Sequence, residues 1–176
     1  MSKFKELYQQ DMARYKNKPT LYIKLLLYFL RKTQTTNSSI IKFIYRILYR
    51  IIASIRGLEI SYSTPIGGGL YLGHVYNITI NPNAVIGKNC NLHKGIVIGQ
   101  QNRGKLKGTP NIGNNVWIGI NAAIVGKITI GDDVLIAPNS YVNCDIPSHS
   151  VVFGNPCIIK HRDYATEGYI NYTSNI

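Results

Sequence analysis

The feature that most constrains the fold is an aliphatic residue that recurs at every sixth position between Ile60 and Val142, with two breaks. The repeat predicts inward-facing residues at Ile60, Ile66, Leu72, Ile78, Ile80, Ile86, Leu92, Ile98, Ile112, Ile118, Ile124, Ile130, Ile136 and Val142. Such a period fits neither the turn of a helix nor the alternation of a strand. It is typical of a parallel β-helix, in which each hexapeptide forms one side of a triangular coil. Glycine directly follows several of these residues, where we expect backbone angles that a side chain would forbid.

The first break in the repeat places a histidine at a bulge. Leu72 and Ile80 are eight residues apart, two more than one repeat. The two extra residues must therefore bulge outward after Gly73 and His74. Histidine titrates near neutral pH and can act as a general base toward a hydroxyl. Because functional residues concentrate where a rigid scaffold is interrupted, His74 is the first candidate for a catalytic residue.

The second break predicts a long loop. Ile98 and Ile112 are fourteen residues apart, and the intervening segment 99–110 is polar, basic and glycine-bearing. This composition is typical of an exposed loop. Insertions in solenoids cluster on one face, which is often the binding face, so we expect the loop to contribute to the functional site.

Two more residues are candidates near His74. His93 lies 19 residues later, about one coil along, and is expected close by. Glu59 lies 15 residues earlier, on the preceding coil. A carboxylate bonded to an imidazole fixes its tautomer and steadies its protonated form, although spacing alone leaves open that Glu59 is only a solvent-facing acid. A metal site would need three ligands at this corner. Only two candidates are present, so no metal is expected.

Composition limits the class of protein. The chain has 176 residues, of which 45% are hydrophobic, which suits one domain with a small appendage. Its longest apolar run, residues 25–30, is much shorter than a bilayer-spanning stretch, and the N-terminus does not have the pattern of a signal peptide. Three cysteines without CxxC spacing predict neither a disulfide framework nor a zinc site. These observations favour a cytoplasmic location.

The N-terminal third is expected to be helical and strongly basic. It holds 12 of the 20 Lys and Arg residues and only two acids, in a chain of net charge +12. Residues 20–32 and 38–57 have the pattern of helices, and Lys42, Arg46 and Arg50 form one basic stripe. Such helices can pack on the solenoid end or on a neighbouring subunit, or lie on the inner face of a membrane. No nucleic-acid-binding module is recognisable, so nucleic acid is not expected as a partner.

Four segments resemble the serine acetyltransferase family. They are GLEISYSTPIGGGLYLGH, NPNAVIGKNCNLHKGIVIG, NIGNNVWIGINAAIVGKITIGDDV and DIPSHSVVFGNP. The resemblance covers about residues 8–160. It implies a left-handed parallel β-helix with an N-terminal helical region, assembled as a homotrimer or a pair of trimers. It also implies direct transfer of an acetyl group from acetyl-CoA to a hydroxyl. The expected parts are a helical region 1–57, a β-helix 58–160 and a tail 161–176.

The resemblance also implies roles for individual residues. His74 matches the family's catalytic histidine, and Glu59 stands where the family carries an aspartate partner. Gly73 replaces an aspartate and Thr109 replaces a histidine, two groups with which the serine enzymes hold their substrate. Asp11 matches a further serine-contacting aspartate. Substrate contacts are therefore predicted at Asp11, Gly73, His93 and Thr109.

These departures from the serine enzymes favour the branch that acetylates sugar hydroxyls of capsular or exopolysaccharide precursors. Acceptors of that kind are often lipid-linked, and the basic N-terminal region suits a peripheral position at the inner face of the membrane. Two alternatives remain open. The chain is a serine O-acetyltransferase of cysteine biosynthesis, or it is a non-catalytic β-helix scaffold or membrane-docking module.

Acetyl-CoA is expected in the groove between two β-helices of the trimer. The segment 99–110 would close over it, and a backbone N–H in the bulge after His74 would stabilise the oxyanion. Basic side chains would meet the CoA phosphates as charge-assisted donors. The residues predicted to contact acetyl-CoA are Gly119, Ala122, Ala137, Pro138, Arg103, Lys105 and Lys160.

Overall fold

The computed structural model describes residues 1–16 and 18–173, which form three helices followed by a solenoid of short strands. The helices are α1 (Lys3–Ala13), α2 (Leu21–Thr35) and α3 (Ser39–Ser54). The strands are β1 (Glu59–Ile60), β2 (Tyr71–Gly73), β3 (Thr79–Ile80), β4 (Val85–Ile86), β5 (Asn91–His93), β6 (Val97–Gly99), β7 (Asn111–Ile112), β8 (Val116–Ile118), β9 (Ala123–Val125), β10 (Thr129–Ile130), β11 (Val134–Ile136), β12 (Tyr141–Val142), β13 (Ser150–Phe153) and β14 (Ile158–His161).

The strands form three sheets that are the three sides of the solenoid. The first sheet has the order β1-β3-β6-β9-β12, the second β10-β7-β4 and the third β14-β13-β11-β8-β5-β2. Every pairing is parallel except that of β13 with β14. Each coil contributes one strand to the first sheet, so five coils are stacked. The predicted parallel β-helix with an N-terminal helical region is confirmed.

The predicted inward-facing residues fill the solenoid. Ile98, Ile118, Ile124 and Ile136 are completely buried, and each such side chain contributes roughly 1.5–3 kcal/mol by leaving water. The positions where the sequence places small residues, such as Ala84, are also buried. Uniform stacking of aliphatic side chains along one axis therefore holds the coils together.

The glycines after the aliphatic residues serve a different purpose from the one that the sequence predicts. Left-handed backbone angles at the corners belong mainly to asparagines, for example Asn89 and Asn121. Gly87 has no such angle, but a Cβ there would lie 2.4 Å from the carbonyl oxygen of Gly113. Gly67, Gly113 and Gly119 also lie too close to their neighbours for a Cβ, whereas a Cβ at Gly99 would meet only ordinary contacts.

The N-terminal helices close one end of the solenoid through a buried ion pair. Asp11 of α1 and Arg31 of α2 are both completely buried, and Arg31 Nε lies 2.8 Å from Asp11 Oδ2. Arg31 also donates to the carbonyls of Ile66 and Gly67, and Asp11 Oδ1 accepts from the Leu70 N–H. The two helices are thereby fixed to the first coil. The predicted helices 20–32 and 38–57 correspond to α2 and α3, and α1 lies in the part of the predicted helical region 1–57 for which no separate helix was predicted.

Helix α3 leaves most of its apolar residues exposed. Only Tyr49 and Ala53 are buried, and Tyr49 donates a hydrogen bond to the Ile60 carbonyl. Several large aliphatic side chains remain in contact with solvent, including Ile40, Ile44 and Ile51. Among the residues that the structure describes, none of the helices combines the length and apolar character needed to cross a bilayer.

A carboxylate at the third-sheet corner holds the C-terminal segment. Asp133 accepts hydrogen bonds from the backbone N–H groups of Ala165 and Thr166, from the Thr166 hydroxyl and from His149 Nδ1. Burial opposes the charged form, but these hydrogen bonds prevail and lower the pKa of Asp133. The segment after β14 therefore folds back onto the solenoid.

Acidification is expected to weaken this attachment. Because the pKa of Asp133 is lower in the folded state, its stabilising contribution is complete above the ordinary value of about 4 and is lost as pH falls through the folded pKa. The free energy of unfolding of an Asp133→Asn variant should therefore fall below the wild-type value at neutral pH and converge with it in acid. Urea denaturation across this pH range measures the difference, and a gap that stays constant with pH would contradict the assignment.

Candidate active site

His74 lies on a bulge at the corner between the third and first sheets. Strand pairing aligns Tyr71 with Asn91 and Thr79 with Val97, so the corner of the first coil has two residues more than that of the second. The predicted insertion is therefore confirmed. His74 has a left-handed backbone angle, φ 50°, and its side chain is exposed. The backbone thus turns this imidazole outward from a rigid scaffold.

Glu59 lies on β1 of the first sheet. The neighbour of β1 is β3, the strand that follows His74 in the chain. β1 pairs with β3 so that Glu59 aligns with Thr79, and Glu59 Oε2 accepts a 3.3 Å hydrogen bond from the Thr79 hydroxyl. Its side chain is exposed. Among the described residues, no hydrogen bond or ion pair joins Glu59 to His74. The orienting role of Glu59 therefore stays a prediction.

His93 lies beside His74 with a defined tautomer. Its Nδ1 lies 2.8 Å from the carbonyl oxygen of Ile118. Since a carbonyl only accepts, Nδ1 carries the proton and Nε2 of the neutral ring is left as an acceptor. Burial lowers the pKa of His93, and the neighbouring His74 lowers it as well, although the Ile118 hydrogen bond opposes them. Burial therefore favours the neutral form of His93, in which Nε2 is an acceptor next to the candidate base.

Gly73 is required by the position of the His93 ring. The two residues align across β2 and β5, and a Cβ at Gly73 would lie 2.4 Å from His93 Cδ2 and 2.6 Å from Nε2. An aspartate at this position, as in the serine enzymes that the sequence resembles, would have to displace the imidazole. His93 thus occupies the space beside the base that a carboxylate would otherwise fill.

Some of the residues predicted to contact acetyl-CoA lie at the same corner of the solenoid as His74. Gly119 and Ala137 follow β8 and β11 of the third sheet, as His74 follows β2. The Gly119 N–H donates to the Ile136 carbonyl, so these corners are stacked. Pro138 is exposed there, whereas Ala122 is completely buried and presents no side chain to the surface.

The basic loop leaves the solenoid at another corner. Segment 99–110 joins the first sheet to the second, and it is closed by paired backbone hydrogen bonds between Gln101 and Gly108. Arg103 and Lys105 are exposed on it, and the Thr109 hydroxyl donates to the Asn83 carbonyl. Within one chain, these residues do not share the corner of His74.

Two other predicted site residues have clear positions. Lys160 is an exposed residue of β14, with its ammonium 5.8 Å from the ring centroid of Phe153 on the last coil. Asp11 is part of the buried ion pair with Arg31 and has no surface that a substrate could reach. The structure therefore gives Asp11 a role in the fold rather than in substrate contact.

A small cavity beside His93 was not anticipated from the sequence. It has a volume of about 210 Å³ and lies over the outer face of the third sheet. Arg14 of α1 reaches it and donates to the Gly69 carbonyl and to Asn91 Oδ1. The His93 and Trp117 rings are 4.7 Å apart, and Tyr169 covers Trp117. The polar and aromatic residues at the outward positions of β2, β5 and β8 could have been found from the repeat. The contribution of Arg14 could not, because Arg14 lies outside the repeat.

Among residues 1–16 and 18–173, no group of three His, Cys, Asp or Glu side chains is arranged to hold a metal ion. The chemistry available at the His74 corner is proton transfer by an exposed imidazole, next to a neutral acceptor.

The repeat and the fold together define the class of protein. Residues 109–144 match the family model described as bacterial transferase hexapeptide (six repeats). With the five-coil solenoid, this match shows that the chain contains the hexapeptide repeat of the bacterial transferases. The relatives found by sequence carry a more specific name, serine acetyltransferase. One from Helicobacter pylori strain 26695 is 34% identical over 113 residues, which are 64% of this chain and 66% of the relative. Another, from Staphylococcus xylosus, is 33% identical over 118 residues, 67% of this chain and 55% of the relative.

Solved structures show the same likeness. The serine acetyltransferase isoform 3 of Entamoeba histolytica, in complex with cysteine, has a TM-score of 0.71 at 26% identity and covers 91% of this chain and 60% of that one. The apoenzyme of soybean serine acetyltransferase has a TM-score of 0.75 at 23% identity and covers 89% of this chain and 69% of that one. At this identity the likeness shows the fold alone. The chain spans less than two thirds of the length of the curated relatives that it matches. The predicted likeness to the polysaccharide O-acetyltransferase branch is not supported by these relatives.

Proposed function

We propose that the chain is an acetyl-CoA-dependent O-acetyltransferase that uses His74 as its general base. The observation that carries the proposal is the exposed imidazole on a two-residue bulge of a hexapeptide solenoid. The names of the relatives support both the reaction class and serine as the first acceptor to test.

The proposed reaction is direct transfer. His74 removes the proton from the acceptor hydroxyl as its oxygen attacks the carbonyl carbon of the acetyl-CoA thioester. The tetrahedral intermediate collapses, the carbon–sulfur bond breaks, and the protonated His74 returns the proton to the leaving thiolate. Glu59 would steady the imidazolium if its side chain turns from Thr79 toward His74. Neutral His93 adds no positive charge that would oppose protonation of the base.

A second acceptor class is favoured by one observation. Gly73 has no room for the carboxylate that the resemblance associates with serine binding, because the His93 ring fills that space. A sugar hydroxyl has no ammonium group for such a carboxylate to bind. A sugar acceptor is therefore the second candidate, although the relatives' names favour serine.

The proposed assembly is a homotrimer. The basic loop 99–110 and His74 lie at different corners of one solenoid, so the loop can approach His74 only from a neighbouring copy. In such an assembly, Arg103 and Lys105 would face acetyl-CoA bound at the stacked corners of Gly119 and Ala137. A cleft between copies would also shield the exposed His74 from solvent during transfer.

An acceptor panel tests the proposed function. Purified full-length chain is incubated with acetyl-CoA and with serine, free sugars or glycan fragments, and the released thiol is measured. We expect acceptor-dependent release of CoA with serine or with a sugar. Binding of acetyl-CoA without transfer to any hydroxyl would contradict the proposal, and absence of acetyl-CoA binding would favour a non-catalytic scaffold.

A further inference from the structure

A basic cavity lies between the N-terminal helices and the second sheet, away from His74. Its volume is about 650 Å³, within the range of small-molecule sites. Its walls come from all three helices and from the first coil, where Ile66 bridges to Ile86 of the second sheet. His74 lies at the corner between the other two sheets. The cavity is thus separate from the candidate active site.

Among the described residues, the cavity walls carry three cations and no acid. Lys3 comes from α1, and Lys42 and Arg46 come from α3. In the described part of the chain, none of the three forms an ion pair with a carboxylate. The Arg46 guanidinium instead stacks on the Tyr62 ring, 4.1 Å from its centroid. Cations that converge without a counter-charge repel one another, so an anion is the complement that this wall lacks.

Two buried polar atoms of the same wall have no hydrogen-bond partner within residues 1–16 and 18–173. They are Arg46 Nε and Thr64 Oγ1, and Thr64 is completely buried. The neighbouring Thr33 and Thr35 hydroxyls differ, because each donates to a carbonyl of its own helix. An unsatisfied buried polar group costs about 1–3 kcal/mol. Both residues line the cavity, so a ligand with several acceptor oxygens is the kind of partner that would satisfy both atoms.

We infer that this cavity binds a phosphate group carried on a larger molecule. A phosphate supplies the missing negative charge and enough acceptor oxygens for Arg46, Lys42 and the Thr64 hydroxyl, and the arginine fork matches its geometry. The volume exceeds what a phosphate alone would fill. The phosphate belongs either to a soluble phosphomonoester or to a phospholipid headgroup beside the exposed aliphatic residues of α3. The inference does not depend on the proposed acetyl transfer.

Binding to two kinds of probe tests the inference on the full chain. Inorganic phosphate and glycerol phosphate are titrated by calorimetry, with sodium chloride of matched ionic strength as the blank. Phosphatidylcholine vesicles with and without phosphatidic acid are used in co-sedimentation. We expect saturable binding to one of the two kinds of probe. Saturable binding of inorganic phosphate or glycerol phosphate assigns the site to soluble ligands. Binding only to vesicles that contain phosphatidic acid assigns it to a lipid headgroup.

Matched variants separate the cavity from general charge. Arg46→Gln is expected to weaken binding by about tenfold or more, the usual effect of losing a hydrogen bond to a charged group. Arg50→Gln, one turn further along the same helix and outside the cavity, should leave binding unchanged. Lys42→Gln, with Lys24→Gln as its control, repeats the test if Arg46→Gln does not fold. Absence of saturable binding to every probe, or equal losses in the cavity variants and their controls, would overturn the inference.

Discussion

Replacement of His74 by alanine is expected to lower acetyl transfer by about 10²–10⁴-fold, the range of general acid–base catalysis. The imidazole is exposed on a bulge and contributes nothing to the aliphatic interior. The variant should therefore fold with unchanged stability and still bind acetyl-CoA. Thiol release with the preferred acceptor measures the first effect, and calorimetry with acetyl-CoA measures the second.

His161→Ala is the matched control for this substitution. His161 is another exposed histidine, on β14, and its ring lies beside Asp163 and His149, away from the His74 corner. Its replacement should leave turnover within experimental error. Near-normal turnover in His74→Ala, or an equal loss in His161→Ala, would remove His74 from the role of base.

Replacement of Asp11 by alanine should produce the largest loss of stability. The substitution leaves the Arg31 guanidinium completely buried without its counter-charge and leaves the Leu70 N–H without its acceptor. Breaking a buried ion pair from one side destabilises by roughly 3–5 kcal/mol. Urea denaturation monitored by circular dichroism measures the free energy of unfolding.

Glu6→Gln provides the comparison on the same helix, because Glu6 is exposed and its removal should change stability only slightly. The result also distinguishes the two roles given to Asp11. If Asp11 contacted the substrate instead, its replacement would raise the KM for the acceptor without unfolding the chain. Such an outcome would restore the role predicted from the sequence.

The solenoid could be predicted from the sequence because one residue type repeats at one spacing. Each of Ile112, Ile118, Ile124 and Ile130 is buried where the repeat places it. The breaks in the repeat correctly located the bulge at His74 and the loop before Ile112, since an insertion into a regular pattern is visible as a change of spacing. The fold of the β-helix therefore follows from local information alone.

The N-terminal region was predicted less well because its contacts are distant in sequence. Helix α1 is held by Asp11 and Arg14, whose partners on the first and second coils are more than fifty residues away. A polar helix fixed by buried charges has no apolar periodicity by which it can be found. For the same reason, the assignment of Asp11 to substrate binding could not be corrected before its neighbours were known.

The sequence predicted that His74 and His93 lie close together, but not the geometry between them. His74 and His93 lie together as expected, but the tautomer of His93 depends on the Ile118 carbonyl one coil further on. The spacing of repeats shows which corner a residue occupies. It does not show that the ring of His93 excludes a side chain at Gly73.

The spacing between coils has a consequence for how this chain can change length. Val116 pairs with Val134, and Leu92 pairs with Ile118 one coil below. A segment of one coil that runs from the residue after Val116 to its partner Val134, which is 117–134, could be excised or duplicated with every flanking side chain still facing inward or outward as before. The helical base and the His74 bulge lie outside that segment and would be retained. A change of one coil would therefore alter the height of the column and the stacked corners that continue from the bulge, including the corner of Gly119.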